Sequence, residues 1–420
     1  MLVAKKSARP FTLVEPFTSL THAVQIVHET TAIGVYEIIR GVSRGVSKMI
    51  DMGIVLLTNG LAQTRNSQPH SMESIHSKQD RTNATMRDSG SNHPLSCWNS
   101  TIDQSEAIIN GLCGDYLAKQ GNALDLRMGF MREGNPLPMH RGSMKNILPD
   151  ATGKVCVFVH GLMCTERSWN IAAEKYYGDP SVNFGSQIKN DLGYTPLFVR
   201  YNTGRHISEN GQTLSRLLTQ LIDCYPIDLE EIILIGHSMG GLVSRSAAYY
   251  GDDSNASWVK RLTHIFCVGS PNLGAPMEKA ANMAGSLLRT FNTAATQILG
   301  HVLNSRSAGI KDLRFGYTLD HEWMDKDPDA FFEDNRLNLP LVDGVGYYFI
   351  GASITADPDN PMGILIGDML IRVPSAAGQS AELARRIPFH AGRVFGGMDH
   401  LHMANHPYVY NAIRDFLAPL

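Results

Sequence analysis

Apolar residues recur along this chain with two different periods, and the change from one to the other marks out its elements. Between Leu20 and Leu57 the spacing is helical, with Val24, Val27, Val35, Ile38, Ile39, Val42, Val46, Met49 and Ile50 on recurring turns. This predicts an N-terminal amphipathic helical region over residues 1–60. Such helices either bury one face on the body of the protein or rest on lipid, here with Arg40, Arg44 and Lys48 toward the head groups. Packing is the simpler reading. Residues 61–99 are rich in Ser, Asn, Gln, His and Asp and poor in large apolar side chains, which predicts a polar linker or long surface loop. A helix is expected from Asp103, and Leu124 to Phe130 then alternates like an early strand with one exposed face.

Beyond Lys154 the pattern becomes short apolar runs separated by helical stretches. Val155–Val159, Leu197–Tyr201, Ile232–Ile235, His264–Val268, Gly344–Ala352 and Arg393–Phe395 read as strands. Gln212–Cys224, Leu242–Tyr250 and Tyr408–Leu417 read as helices between or after them. Alternation of this kind implies an α/β fold, a mostly parallel central sheet with helices on both faces, in one domain over residues 100–420. An insertion over residues 276–341 interrupts it. Leu287, Leu288, Phe291, Ala295, Ile298, Leu299 and Val302 form one helical stripe there, suited equally to a cap or lid and to a helix covering the sheet.

Composition narrows the partners. A chain of 420 residues, 43% hydrophobic, can bury a sizeable core, and a formal net charge of -3 gives nucleic acid no electrostatic foothold. The six cysteines lack metal spacing and several sit in apolar strands, so reduced thiols and a cytoplasmic location are expected. Lys5 and Lys6 precede no uninterrupted apolar core, and the run Ile54–Leu57 is too short to span a bilayer. Peripheral membrane contact through the N-terminal helices is the remaining membrane option. His402 and His406 are four apart, but no cysteine or carboxylate completes a metal set with them, and no cofactor is called for.

The chemistry is concentrated at Gly236-His237-Ser238-Met239-Gly240, which follows the apolar run Ile232–Ile235 directly and precedes a helical stretch. Strand, Gly-x-Ser-x-Gly and helix together make a nucleophile elbow, a strained turn that presents the serine at the top of a sheet. An activated serine needs a base, an orienting acid and donors for the oxyanion. His400 comes first after the last strand and is the candidate base, with His402 as the fallback. His406, before a proline at a helix start, suits a local structural role. Asp368 follows a glycine among apolar residues, where a carboxylate needs a partner, and His400 is the partner expected. Asp357, Asp359 and Asp399 read as solvated loop carboxylates. The backbone amides of Leu162, after Val155–Val159 and Gly161, and of Met239 are the candidate oxyanion donors. His160 reads as a hydrogen-bonded loop residue, not a proton carrier.

These stretches resemble the serine esterases and lipases of the α/β-hydrolase fold, in particular bacterial lipase-like proteins related to GPI inositol deacylases. The resemblance rests on Phe158–Leu162, Tyr201–Gly204, Gly236–Gly241, Gly269–Pro276, Gly367-Asp368 and His400-Leu401, in that order from Lys154 to Leu420. Relatives commonly carry Gly-Asp-Gly-Leu-Val at the acid, where this chain has Gly-Asp-Met-Leu-Ile. Many also carry Asp two residues after the histidine, where this chain has His402. The resemblance implies hydrolysis of hydrophobic acyl esters, small-molecule or lipid, by Ser238, His400 and Asp368 through an acyl-enzyme. An acyltransferase using the same serine, or a lipase-like binding protein without catalysis, are the alternatives.

Overall fold

A computed structural model describes residues 94–275, 307–327, 334–337 and 339–418. The expected N-terminal helices, residues 61–93 of the polar stretch and the apolar stripe at 287–302 lie outside the described residues. Among the described residues the strands are β1 (Gly129–Arg132), β2 (Asn135–Pro136), β3 (Lys154–Val159), β4 (Thr195–Arg200), β5 (Glu231–His237), β6 (Leu262–Val268), β7 (Gly346–Ala352) and β8 (Ala391–Phe395). They form one sheet in the order β2-β1-β4-β3-β5-β6-β7-β8. From β4 to β8 every pairing is parallel, while β1 joins β4 and β2 antiparallel.

The continuous apolar runs are explained by burial on both faces. In β3, Val155, Val157 and Val159 enter one core cluster and Cys156 and Phe158 the other. In β5, Ile232 and Leu234 divide from Ile233 and Ile235 in the same way, as the two-residue period of a strand requires. Helices Ile207–Cys224 and Met239–Asp253 cover the first face through Leu214, Leu218, Leu221, Leu242 and Val243. Helices Phe184–Leu192 and Pro407–Leu417 cover the second through Phe184, Ile188, Val409 and Ile413. Sheet and helices together make the α/β-hydrolase fold.

Two boundaries differ from the sequence reading. The first described helix runs from Pro94 to Lys119, so it starts inside the stretch read as polar linker. Local polarity had set that boundary, yet helix propensity does not require apolar residues on every turn. The early strand is confined to Gly129–Arg132, where pairing with β4 is available; Leu124 to Met128 lies outside the ladder. Among the described residues no helix is long and apolar enough to cross a membrane.

Candidate active site

Strand β5 ends at His237, and the helix Met239–Asp253 begins one residue later, so Ser238 alone makes the turn. Its backbone stands at φ 55 and ψ -124, a region that costs a non-glycine residue about 1–3 kcal/mol. Neighbours hold it there. The Ser238 N–H donates to the Val268 carbonyl at 2.8 Å. A Cβ added at Gly236 would lie 2.3 Å from the Gly241 nitrogen, and one at Gly240 would lie 2.0 Å from the Val159 oxygen. Strand and helix can therefore cross this closely only through glycines. His237 and Met239 are buried, while Ser238 is half-buried and reaches the surface.

Asp368 and His400 meet although 32 residues separate them, with His400 Nδ1 against Asp368 Oδ2 at 2.8 Å. Asp368 Oδ1 accepts the N–H groups of Leu370 at 3.0 Å and Ile371 at 2.7 Å. The His400 N–H donates to the Asp368 carbonyl at 3.0 Å, so main chain and side chain fix the same pair. Both side chains are buried. His402 has a different carboxylate: its Nδ1 lies 2.6 Å from Asp399 Oδ2, and the two side chains are 33% and 41% exposed. Asp399 also accepts the N–H groups of Leu401 and His402. It is a partly solvated loop carboxylate that also holds its turn together. Asp357 and Asp359 are exposed. His406 Nδ1 accepts the Tyr408 N–H at 3.2 Å and caps the last helix.

The acid loop carries its own strain. Met369 has φ 85, at the position where the sequences it resembles carry glycine. Left-handed backbone costs a side-chain-bearing residue about 1–2 kcal/mol, against about 0.5–1 kcal/mol for the greater unfolded freedom of glycine. Met369 is 37% exposed, so the buried part of its side chain offsets some of this gain. Met369→Gly is expected to raise stability by at most about 0.5–1 kcal/mol in urea unfolding. An unchanged midpoint would mean that the turn is unstrained.

One residue that sequence reasoning passed over ties the elbow to the histidine. His237 Nε2–H donates to the His400 carbonyl at 2.9 Å, and the two ring centres are 4.9 Å apart. His237 fills the variable position of Gly-x-Ser-x-Gly, and its only sequence signal was a polar side chain directly after a buried strand. The other walls are equally close. A Cβ at Gly161 would lie 3.0 Å from the Ser238 Cβ, and one at Gly269 would lie 3.4 Å from His400 Nδ1 and Cε1. Met239 is the first helical residue, so its N–H has no intrahelical acceptor. Among the described residues neither this N–H nor that of Leu162, next to Gly161, is hydrogen-bonded.

Two histidines beneath the turn are held neutral. Burial pushes His160 down to about 4 and His237 to about 3, from an ordinary 6.5. His160 Nδ1–H donates to the Gly161 carbonyl at 2.9 Å, and its ring stacks on Tyr201 at 4.5 Å. Both rings stay unprotonated in the folded chain while the unfolded chain takes up protons below pH 6.5. Their contribution is thus complete above that pH and is lost as pH falls toward 4 and then 3. Unfolding free energy should decline between about pH 6.5 and 5, and His160→Gln should flatten that slope whatever it does to stability at pH 7. Equal slopes for the two proteins by denaturant titration would exclude His160 as a source.

Two thiols are inert by the same physics. Burial pushes Cys164 up to about 11 and Cys267 to about 12, so neither is a thiolate near neutrality. A cavity of about 750 Å³ is bounded by Met131, Leu137, Thr195, Pro196 and Phe198 among others, and none of Ser238, Asp368 or His400 lines it.

An elbow serine, a buried carboxylate–imidazole pair and a mostly parallel eight-stranded sheet define an α/β-hydrolase-fold protein. Residues 150–324 match the model of one family in particular, the PGAP1-like alpha/beta domain. That match takes in Ser238 and ends before Asp368 and His400. No curated protein matches the chain in sequence. Solved structures similar to it include a lipase from Bacillus licheniformis in mature form, 16% identical, with 63% of this chain and 92% of that chain covered and a TM-score of 0.40. A phospholipase from Legionella pneumophila is 15% identical, with 64% and 60% covered and a TM-score of 0.38. A lipase-esterase related protein from Clostridium acetobutylicum is 14% identical, with 64% and 96% covered and a TM-score of 0.33.

Proposed function

We propose that the chain is a serine carboxylic ester hydrolase in which Ser238 is the nucleophile, His400 the base and Asp368 the orienting acid. The observation that carries this reading is the buried contact of 2.8 Å between Asp368 Oδ2 and His400 Nδ1, on the ring packed against the elbow residue His237. With Nδ1 engaged, Nε2 is the ring nitrogen left to take the serine proton. In this reading the half-buried Ser238 hydroxyl is the group that gives up its proton. As Ser238 attacks the ester carbonyl, the N–H groups of Leu162 and Met239 receive the oxyanion. His400 then protonates the leaving alcohol. Water adds to the acyl-enzyme by the reverse sequence, and Asp368 stabilises the imidazolium in both halves. The exposed apolar side chains of Leu365, Met369 and Leu401 beside the acid and the base favour hydrophobic acyl groups.

The test is covalent. A fluorophosphonate probe should label the protein once, on the peptide containing Ser238, and block turnover of a medium-chain nitrophenyl ester in step with labelling. Labelling elsewhere, or turnover that survives full labelling, would remove Ser238 from the mechanism. Product analysis with added alcohol separates transfer to water from transfer to an alcohol acceptor.

A further inference from the structure

Seven residues past Ser238, the elbow helix buries a charge that the proposed mechanism does not use. Arg245 is 3% exposed. Its Nη1–H donates to Asn272 Oδ1 at 3.1 Å, and its Nε–H is buried with no acceptor among the described residues. A guanidinium keeps its charge in a protein interior, so burying one against a neutral amide alone is costly. Arg245 shares a small cavity, about 20 Å³, with Arg336 and Arg385. Arg336 also buries an unbonded donor there, its Nη1–H.

The carboxylates nearby are committed elsewhere. Asp334 accepts from Arg336 Nη2 at 2.7 Å and from Arg385 Nη1 at 2.5 Å. Glu382 pairs with Arg385 Nε at 2.8 Å. Glu322 is buried and accepts the N–H groups of Thr318, Leu319 and Leu337 at 2.5, 2.7 and 2.8 Å. Among the described residues none of them bonds Arg245. Three guanidinium groups thus line one cavity, two of them with a buried N–H left over, and one without any carboxylate partner.

We propose that this cavity binds a small inorganic anion of halide size, such as chloride. The volume is enough for one small anion, and a halide is the smallest that fits it. The leftover donors on Arg245 and Arg336 supply charge-assisted hydrogen bonds to it. Asn272 also donates through Nδ2 to the Ala376 carbonyl at 2.8 Å. The anion would therefore brace the elbow helix, the loop after β6 and the segment that follows Asp368. This inference is independent of the ester hydrolase reading.

Thermal unfolding of the full chain in sodium chloride and in sodium gluconate of equal ionic strength tests it. Chloride should raise Tm saturably, by about 3–5 °C well above its Kd, and gluconate should not. Arg336→Gln, at a partly exposed side chain, should lose most of the chloride response. Equal Tm values in the two salts, or an undiminished response in Arg336→Gln, would overturn the proposal. If that variant does not fold, the wild-type protein decides the matter. Crystals soaked in sodium bromide should show an anomalous peak between Arg245 and Arg336, and a cavity without one overturns the site.

Discussion

Ser238→Ala should retain the fold and lose ester hydrolysis by about 10⁴-fold or more, because the nucleophile and its base act as one unit. The fold should survive because the turn is set by its neighbours and not by the hydroxyl. The hydrogen bond from the backbone N–H to Val268 and the tight crossings at Gly236 and Gly240 remain in the variant. Alanine meets the same positive φ as serine, so the strain of about 1–3 kcal/mol is nearly unchanged. Far-ultraviolet circular dichroism and the urea midpoint should match wild type, while medium-chain nitrophenyl ester turnover falls to background. Turnover within tenfold of wild type would mean that another residue carries the chemistry.

The parts of this chain that were readable from sequence are those where burial leaves no alternative. The inner strands appeared as apolar runs because both faces of a parallel strand meet core, as the division of Val155, Val157 and Val159 from Cys156 and Phe158 illustrates. The elbow was readable because crossing a strand and a helix at contact distance demands glycine at fixed spacing. Asp368 stood out as a carboxylate among apolar residues, a placement that requires a partner. What was not legible depends on tertiary contact. His237 reads as an arbitrary residue until its ring is seen to hold the His400 carbonyl. The start of the first helix at Pro94 was hidden by local polarity. The anion cavity draws Arg245, Arg336 and Arg385 from three separate segments, and no spacing rule joins them.

The choice between His400 and His402 leads to the second large effect. Each imidazole has its own carboxylate, yet the two pairs differ physically. His400 and Asp368 are buried, with side chains 5% and 1% exposed, and His400 packs on the elbow through His237. His402 and Asp399 are partly exposed, and the His402 ring meets Tyr176 edge-on at 6.0 Å. His400→Ala should therefore cost at least about 10³-fold in kcat with little change in KM, since it removes a group needed only as the transition state forms. His402→Ala should cost less than about 5-fold, because in this reading its imidazole takes no part in the proton transfer. Asp368→Asn should fall near His400→Ala, as the amide leaves the imidazole in the wrong tautomer and its cation unsupported. In the double variant Ser238→Ala/His400→Ala the loss should not exceed that of the larger single change, the mark of residues acting through one another. A larger loss at His402 than at His400 would transfer the role of base to the Asp399 pair, and Asp368 would then be a structural carboxylate that fixes the loop through Leu370 and Ile371.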